Sequence, residues 1–245
     1  MKVSCIIPAY NEEETIENVI KIVKKIDLID EIVVVDDGSD DKTYEEVIKN
    51  DVKVVKHEKN RGKGGAIKTG IKNSNGDVLF FFDADIKEID IEKLKEMIKC
   101  VKDDKFDVSI GYFDSPYFQT FTEVHYKNLM KLLFPEVIEK IPKGHLSGQR
   151  VFKRKIIEML ELKDGFDLEL SMNMGVTFLE RDVKINFVNL GEIKVKPKGY
   201  QKGMEVIGKS IIDYSKKYKR FGRIKESSFD KAVNSLSKII NEVIN

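Results

Sequence analysis

The sequence predicts an α/β fold with a mostly parallel central sheet flanked by helices. Through roughly the first 113 of 245 residues, short β-branched runs alternate with segments whose apolar residues recur every three or four positions. Short strand–helix–strand connections of this kind favour right-handed crossovers and parallel strands. Beyond that point the alternation stops and helical patterns dominate towards the C-terminus. A chain of this length can enclose one large core.

Each predicted element has a local reason. The first strand, residues 3–7, is a β-rich run that Pro8 is expected to end, and Asn11, with Glu14 three residues later, is expected to cap the first helix. Buried strands are predicted at 31–35, 52–56, 77–82 and 107–112, with helices at 43–50, 62–73 and 91–101 between them. Later come predicted helices at 121–134, 167–180 (amphipathic), 204–218 and 229–244, a loop at 145–153 entering a short strand, and a strand at 184–189.

Composition excludes several classes of protein. The chain is 41% hydrophobic and 35% charged, unlike disordered or collagen-like chains, and no apolar run approaches the roughly 18–20 residues that span a bilayer. Lysine plus arginine (43) nearly balance aspartate plus glutamate (42), which argues against a nucleic-acid partner. Cys5 and Cys100 form no disulfide framework, and no signal-peptide pattern is present, so a cytoplasmic protein is expected. The oligomeric state is not predicted.

Two aspartates, Asp83 and Asp85, directly follow the most apolar predicted strand. In largely parallel sheets, ligands bind beyond the carboxyl ends of the strands. Carboxylate oxygens suit Mg²⁺ or Mn²⁺, and Mg²⁺ binds one or two carboxylates together with water and substrate phosphates. The alternative is a solvated acidic turn, because such pairs of aspartates are common. Their position at a strand end favours a metal site in an enzyme that uses a nucleoside-diphosphate donor.

Two further loops follow predicted strands. In 36–39 (DDGS) a carboxylate could accept a hydrogen bond from a nucleobase or a ribose, although Asp, Gly and Ser are also ordinary turn residues. In 60–65 (NRGKGG) the glycines permit close backbone approach, and the start of the following helix favours an anion. The spacing matches neither a Walker A loop nor the GxGxxG of dinucleotide-binding proteins.

Four segments in combination resemble a known family. The segments 6–13 (IIPAYNEE), 34–39 (VVDDGS), 60–64 (NRGKG) and 83–85 (DAD) are similar in order and spacing to family 2 glycosyltransferases of GT-A fold. Two later segments, 146–152 (LSGQRVF) and 165–169 (GFDLE), are similar to the dolichyl-phosphate mannose synthase branch, where they lie beside the acceptor pocket. The resemblance implies a GT-A domain over 1–203 and a C-terminal helical extension over 204–245.

The resemblance also implies roles for residues on the donor side. Asp83 and Asp85 would hold the metal, with Asp85 taking part in catalysis. Lys87 stands where the branch often has a metal-assisting Gln, so it either contacts the diphosphate or points to solvent. Tyr10 would lie against the base and Asp37 would hydrogen-bond to it. The full set expected to contact the donor is Pro8, Tyr10, Glu12, Val35, Asp37, Lys63, Asp83, Ala84 (through its backbone), Asp85 and Lys87.

On the acceptor side, the resemblance singles out Arg150 and Glu169 as catalytic residues. A guanidinium can bind a phosphate with two hydrogen bonds, and the alternative for Arg150 is a salt bridge with Glu169 or Asp167. Glu169 could be a general base towards an acceptor hydroxyl, whereas an ionised phosphate acceptor needs no base. His145, near the same pocket, has both a catalytic and a structural interpretation.

Two lysine-rich segments lie towards the C-terminus. Four lysines fall in 194–202, a segment that the resemblance implies to be a lid over the diphosphate. The segment 204–223 combines basic and apolar residues, and it either lies on an anionic membrane surface or packs its apolar side on the domain. Peripheral contact with the cytoplasmic face of a membrane is one of these two expectations.

The sequence therefore predicts a metal-dependent glycosyltransferase that moves a sugar from a UDP- or GDP-linked donor to an acceptor, with polyprenyl (dolichyl) phosphate as the main candidate. One alternative is a soluble glycosyltransferase acting on a phosphorylated small molecule such as 3-phosphoglycerate, although the histidine that such synthases use has no counterpart after His145. Another is a nucleotidyltransferase, which would carry a basic Gly-rich loop after the first strand, where this chain is acidic. The sugar and the stereochemistry are not predicted.

Overall fold

A seven-stranded sheet forms the centre of the computed structural model, which describes residues 1–114, 121–192 and 200–220. The strands are β1 (Val3–Ala9), β2 (Glu31–Asp36), β3 (Lys53–Lys56), β4 (Val78–Phe81), β5 (Val108–Tyr112), β6 (Arg150–Lys153) and β7 (Ile185–Asn189). Their order across the sheet is β3-β2-β1-β4-β6-β5-β7. All neighbouring pairs are parallel except those of β6, which runs antiparallel to β4 and β5. The predicted α/β class and mostly parallel sheet are confirmed.

Helices pack on both faces of this sheet. They are α1 (Ile16–Lys24), α2 (Thr43–Ile48), α3 (Lys63–Lys72), α4 (Ile91–Lys102), α5 (Phe121–Leu133), α6 (Pro135–Lys140), α7 (Arg154–Ile157), α8 (Leu168–Phe178) and α9 (Tyr200–Lys217). Because successive side chains of a strand point to opposite faces, the central strands feed two separate cores. Ile7 and Phe80 pack with α1 and α4, whereas Ile6 and Phe81 pack with α3, α7 and α8. A third cluster joins α5, α6, α8 and α9.

The loop after β1 differs from the prediction. The strand continues through Pro8, which remains in parallel register with β2. Asn11 does not cap the first helix, because its φ of 55° is left-handed and α1 begins only after Thr15. The Asn11 side chain instead accepts a hydrogen bond from the Asp40 N–H over 2.9 Å. Asn11 therefore joins the β1 loop to the β2 loop, and both loops border the site described below.

The second half departs further from the prediction. The short helices α6 and α7 have no counterpart in the prediction, and neither does the position of β6 between β4 and β5. Helix α8, predicted to be amphipathic, is buried on nearly every side. The reason is that it lies between two cores: Leu168 and Met172 enter the core beneath the sheet, while Leu170 and Met174 enter the cluster with α9.

Helix α9 packs its apolar side on the domain, which is one of the two arrangements expected for the segment 204–223. Ile207 and Ile211 are buried in the cluster shared with α5, α6 and α8. The lysine-rich segment 194–199 and the predicted helix at 229–244 lie outside the described residues. The expected domain boundary stays a prediction. In the part of the chain that the structure describes, no helix combines the length and apolar character needed to cross a membrane.

Candidate active site

Acidic side chains follow three neighbouring strands at one edge of the sheet. Asp83 and Asp85 come after β4, Asp37 after β2 and Glu12 after β1. Because β1 lies between β2 and β4 and is parallel to both, the ends of the three strands meet. The Asp83 side chain is 24% exposed, whereas Asp37 is 3% exposed. The structure thus brings these predicted site residues together.

Strand β6 approaches the same place from the opposite direction. Its register pairs Phe81 with Arg150, so the residues before β6 lie beside those after β4. Gly148 is so close to Asp83 that a Cβ would overlap both carboxylate oxygens. Gln149 is buried and donates from Nε2 to Asp83 Oδ2 over 2.9 Å. This hydrogen bond fixes the orientation of the Asp83 carboxylate.

Lys63, the first residue of α3, connects two of the predicted site carboxylates, Asp83 and Glu169. Its Nζ lies 2.6 Å from Asp83 Oδ1 and 2.8 Å from Glu169 Oε1. Burial alone lowers the pKa of Lys63, but the charges of Asp83 and Glu169 outweigh burial and raise this pKa above its usual range. The ammonium therefore stays charged, and we refer to the three side chains as the Asp83–Lys63–Glu169 bridge.

The glycine-rich segment at the start of α3 makes this bridge possible. The N–H groups of Gly64 and Gly65 donate to the Asp164 carbonyl oxygen over 2.7 and 3.2 Å. A Cβ on Gly64 would overlap the backbone of 163–164. The prediction of an anion site at this helix start is therefore wrong, because a protein carbonyl already occupies it. The glycines instead allow the backbone at 163–164, which leads to Glu169, to approach the start of α3 closely.

Asp85 lies in the most acidic part of the site. Burial, and then the carboxylates of Asp83 and Glu12, raise the pKa of Asp85 to about 6. A cation relieves such crowding of carboxylates. Among the residues described, no group of three or more His, Cys, Asp or Glu side chains surrounds one metal position. Asp83 and Asp85 nevertheless fit Mg²⁺ or Mn²⁺, since Mg²⁺ commonly takes two carboxylates and completes its shell with water and substrate phosphates.

Asp37 is held by two donors that the sequence reasoning missed. Nδ1 of His57 lies 2.6 Å from Asp37 Oδ1, and the Arg61 peptide N–H donates to the same oxygen over 2.9 Å. A carboxylate only accepts, so the imidazole carries a proton on Nδ1. Its Nε2 lies 2.9 Å from Thr69 Oγ1. His57 is 4% exposed, so it lies buried behind the Asp37 carboxylate and does not face solvent.

The other predicted donor residues occupy different environments. Tyr10 is 43% exposed at the end of β1 and can stack on a ligand. Pro8 is half-buried within the strand. Val35 is fully buried among apolar side chains, so only its backbone could contact a nucleoside. Ala84 is buried in the core beneath the two aspartates, and Lys87 is exposed, in keeping with the second of its two predicted orientations.

Arg150 lies in the interior, at 1% exposure. Its guanidinium donates to Oδ1 of Asn173 over 2.7 Å and to the carbonyl oxygen of His145 over 2.9 Å. Burial lowers the pKa of Arg150 to about 10. The alternative interpretation, a salt bridge with Glu169 or Asp167, is also not found, because the partners of the guanidinium are backbone carbonyls and an amide.

The contacts of Arg150 hold the loop 144–147. Further hydrogen bonds run from the guanidinium to the carbonyl oxygens of Ser147 and Gly144, over 2.7 and 3.2 Å. This loop leads directly into Gly148 and Gln149, which touch Asp83. The prediction was that the guanidinium faces a ligand phosphate, but its described hydrogen bonds instead go to the loop that leads to Gln149.

His57 and Gln149 are the two site residues that the sequence reasoning did not assign. His57 immediately follows β3, so the rule that ligand-side residues follow strands could have found it. Gln149 precedes a strand, and it reaches the site only because β6 is antiparallel to β4. No local pattern indicates that pairing.

The sheet and the acidic site at its edge define a GT-A glycosyltransferase fold. Residues 4–160 match the family described as Glycosyl transferase family 2, and the chain belongs to this family. A dolichol-phosphate mannosyltransferase of Pyrococcus furiosus is 34% identical over 216 residues, which are 84% of this chain and 55% of that protein. A UDP-N-acetylglucosamine–dolichyl-phosphate N-acetylglucosaminyltransferase of Methanococcus voltae is 38% identical over 121 residues, 41% of this chain and 47% of that protein. The chain thus spans about half the length of these curated relatives.

Solved structures share the fold. A mannosyl-3-phosphoglycerate synthase from Rubrobacter xylanophilus superposes with a TM-score of 0.80 at 19% identity, over 92% of this chain and 77% of that one. A glucosyl-3-phosphoglycerate synthase from Mycobacterium tuberculosis, in complex with Mn²⁺, UDP and phosphoglyceric acid, gives 0.75 at 23% identity, over 92% of this chain and 80% of that one. Membership of the glycosyltransferase family removes the nucleotidyltransferase alternative.

Proposed function

We propose that this chain is a metal-dependent glycosyltransferase that transfers a sugar from a nucleoside-diphosphate donor to the phosphate of a polyprenyl carrier. The observation that carries the proposal is the position of Asp83 and Asp85 at the end of β4, with Asp83 joined through Lys63 to Glu169. The similarity to a dolichol-phosphate mannosyltransferase over 84% of the chain supports this choice of acceptor.

On the donor side, each residue has a task that follows from its environment. Asp83 and Asp85 would hold Mg²⁺ or Mn²⁺, which neutralises charge on the leaving diphosphate. Lys63 keeps a positive charge beside Asp83 because the pKa of its ammonium is raised. Tyr10 offers an exposed ring for the base, and Asp37 offers a fixed carboxylate.

On the acceptor side, Glu169 distinguishes a phosphate from an alcohol. An ionised phosphate attacks without losing a proton, whereas a hydroxyl needs a general base. The Glu169 carboxylate is 7% exposed and already bound by the Lys63 ammonium. This arrangement favours a holding role for Glu169 and hence a phosphate acceptor.

The test is a transfer assay with radiolabelled UDP- and GDP-sugars, a short-chain polyprenyl phosphate in detergent, and Mn²⁺. The expected product is labelled lipid, formed by the wild-type chain, strongly reduced by Asp85→Asn and lost when a chelator is added. Labelled lipid formed equally by Asp85→Asn would contradict the proposed metal site. Release of nucleoside diphosphate with no labelled lipid would contradict the proposed acceptor.

A second candidate is transfer to a phosphorylated small molecule such as 3-phosphoglycerate. It is favoured by the packing of α9, whose described apolar residues face the domain and leave no apolar stripe for a membrane. A glucosyl-3-phosphoglycerate synthase of Mycolicibacterium smegmatis is also 34% identical over 97 residues. Parallel reactions with 3-phosphoglycerate, together with flotation on anionic liposomes, separate the two. Glu169→Gln should slow a hydroxyl acceptor far more than a phosphate acceptor.

A further inference from the structure

Helix α3 and the segment before it carry an unbalanced positive charge. On α1, by comparison, opposite charges are paired, and Lys21 lies 2.7 Å from Glu17. Between Glu58 and Asp77 the chain has five lysine or arginine residues and no aspartate or glutamate. One of the five, Lys63, reaches into the active site. The other four form a local excess of positive charge in a chain whose charges balance overall.

Three of these cations line one groove on the outer face of α3. The groove has a volume of about 430 Å³, and its walls are formed by Arg61, Gly65, Lys68, Thr69, Lys72 and Asp164. Positions 65, 68 and 72 follow one another at intervals of three and four residues, so they share one face of the helix. Gly65 lets the preceding segment pack closely, because a Cβ at this position would lie 2.8 Å from the Cβ of Arg61. This contact sets the Arg61 side chain beside the two lysines.

Most of the positive charge in the groove is not neutralised by the protein. Lys68 ion-pairs with the carboxylate of Asp164, a side chain that is 66% exposed. Within residues 1–114, 121–192 and 200–220, no carboxylate lies at ion-pair distance from Arg61 or Lys72. Three cations and one carboxylate leave the groove with two net positive charges. The position of Asp164 also shows that an oxyanion can occupy the groove beside Lys68.

A phosphate monoester matches the charge and the polarity of this groove. At pH 7 it carries about −1.5 to −2 charges, whereas the phosphodiester of a membrane lipid carries a single one. A guanidinium binds phosphate oxygens through two parallel hydrogen bonds, and lysines add further charge. None of the six residues that line the groove has an apolar side chain against which an acyl or prenyl chain could pack. The chemistry therefore favours a soluble phosphate monoester.

We propose that the groove formed by Arg61, Lys68 and Lys72 is a second ligand site, separate from the carboxylates of the active site, for a soluble phosphate monoester. In the empty groove the Asp164 carboxylate holds Lys68, and the phosphate of the ligand takes its place. The N–H groups at the start of α3 take no part, because the Asp164 carbonyl oxygen already occupies that position. The site goes beyond the proposed transferase and does not depend on it, so binding alone tests it.

The ligand-side test follows the backbone amides of the wild-type chain by nuclear magnetic resonance during titration with glycerol 3-phosphate at low salt. Saturable shifts should appear at Gly65, Lys68 and Thr69. Glycerol should cause none of them, and a tenfold rise in KCl should weaken binding by about threefold or more. Shifts confined to Asp85 and Glu169, or no saturable shift by about 20 mM ligand, overturn the proposal and leave the proposed transferase intact.

Vesicles of phosphatidylglycerol distinguish a soluble ligand from a membrane surface. Flotation with these vesicles should be the same for the wild-type chain and for Lys68→Gln/Lys72→Gln. Flotation that this double substitution abolishes, without groove shifts from glycerol 3-phosphate, overturns the soluble ligand in favour of a lipid headgroup.

The protein-side test uses the same double substitution. Lys68→Gln/Lys72→Gln should weaken glycerol 3-phosphate binding by about tenfold or more, because both lost contacts are charge-assisted. The matched control is Lys21→Gln/Lys25→Gln, which removes two exposed lysines at the same spacing from α1 and should change binding less than about twofold. Asp164→Asn frees Lys68 and should tighten the binding of inorganic phosphate by about threefold. Equal losses in the two double variants, or weaker phosphate binding in Asp164→Asn, overturn the proposal.

Discussion

The donor side and the acceptor side of the site hold their charged groups in opposite ways. At the end of β4, Asp83 and Asp85 are partly exposed and crowded by other carboxylates, and the pKa of Asp85 is raised to about 6 by burial and these neighbours. At the start of β6, Arg150 is buried and bound by backbone carbonyls and Asn173. The sheet thus sets the position of a charged residue beside a strand end. Whether that residue is available to a ligand depends on whether the protein itself already satisfies its hydrogen bonds.

Two side chains join these sides. Lys63 ion-pairs with Asp83 and Glu169, and Gln149 donates to Asp83 from the segment that Arg150 holds. The partly exposed carboxylates at the end of β4 are therefore held in place by buried residues whose hydrogen bonds the protein itself satisfies. Substitution of the buried residues should mainly lower stability, whereas substitution of the carboxylates should mainly lower activity.

The largest effect is expected from Arg150→Met. Several carbonyl oxygens and the Asn173 amide would lose a buried donor, and at ~1–3 kcal/mol for each unsatisfied group the free energy of unfolding should fall by about 4–5 kcal/mol. Urea unfolding followed by circular dichroism measures this loss. Lys155→Met, an exposed substitution nearby, should change it very little. A loss below 1 kcal/mol would show that the 144–147 loop does not need the guanidinium.

Asp85→Asn should have the next largest effect, on activity alone. We expect transfer to fall by roughly 10²–10³-fold, the range seen when one electrostatic contact to a transition state is removed. The folded chain disfavours the charged form, because the pKa of Asp85 is raised to about 6 from 3.8. In metal-free protein at pH 7 the variant should therefore melt at the same temperature as wild type or higher. A lower Tm in the presence of chelator would mean that Asp85 is a structural residue.

Lys63→Met should remove the Asp83–Lys63–Glu169 bridge and leave two carboxylates without their cation. The Lys63 side chain is 28% exposed, so we expect a loss of ~2 kcal/mol, below the 3–5 kcal/mol typical of fully buried pairs. Combining Lys63→Met with Glu169→Gln should recover part of the loss, since one unpaired charge disappears. A double-mutant cycle in urea measures the coupling, and strict additivity would show that the ion pair contributes nothing.

The smallest effect concerns His145 and pH. Burial, followed by the charges of Lys127 and Arg150, lowers the pKa of His145 from 6.5 to about 3. Below pH 6.5 the unfolded chain binds a proton that the folded chain does not, so stability is present above pH 6.5 and is lost as the pH falls towards 3. In that range the free energy of unfolding falls by ~1.4 kcal/mol for each unit by which the pH is lowered.

Comparison with His145→Phe separates the contribution of His145 to the pH dependence of stability from that of other acid-sensitive groups. Between pH 7.5 and 5.5, the wild-type chain should lose about 1 kcal/mol more than the variant in urea unfolding. Equal losses in the two proteins would show that the imidazole is accessible to protons in the folded state.

The first half of the fold could be predicted because each of its strands is a local apolar run followed by a polar strand end. That rule predicts that Asp37, Asp83 and Asp85 lie at the same edge of the sheet. The second half could not be predicted in the same way, because β6 enters the sheet between β4 and β5, a pairing that depends on distant residues. Gln149 therefore went unassigned.

Residue roles were harder to predict than residue positions. A motif can indicate that Arg150 is near the site, but only the three-dimensional contacts show that its guanidinium is used by the backbone. In the same way, glycines that permit close approach at the start of α3 do not indicate whether a phosphate or a carbonyl approaches. Here the Asp164 carbonyl does so.

Binding of Mn²⁺ together with UDP, followed by electron paramagnetic resonance, tests the proposed metal site most directly. Wild-type protein should take up Mn²⁺ in the presence of UDP, and Asp83→Asn and Asp85→Asn should each weaken that uptake by at least ~30-fold, as expected for the loss of a charged ligand. Asp77→Asn is the matched control, because Asp77 is an exposed aspartate at the opposite end of β4. Wild-type Mn²⁺ affinity in both Asp83→Asn and Asp85→Asn would contradict a metal site at the end of β4.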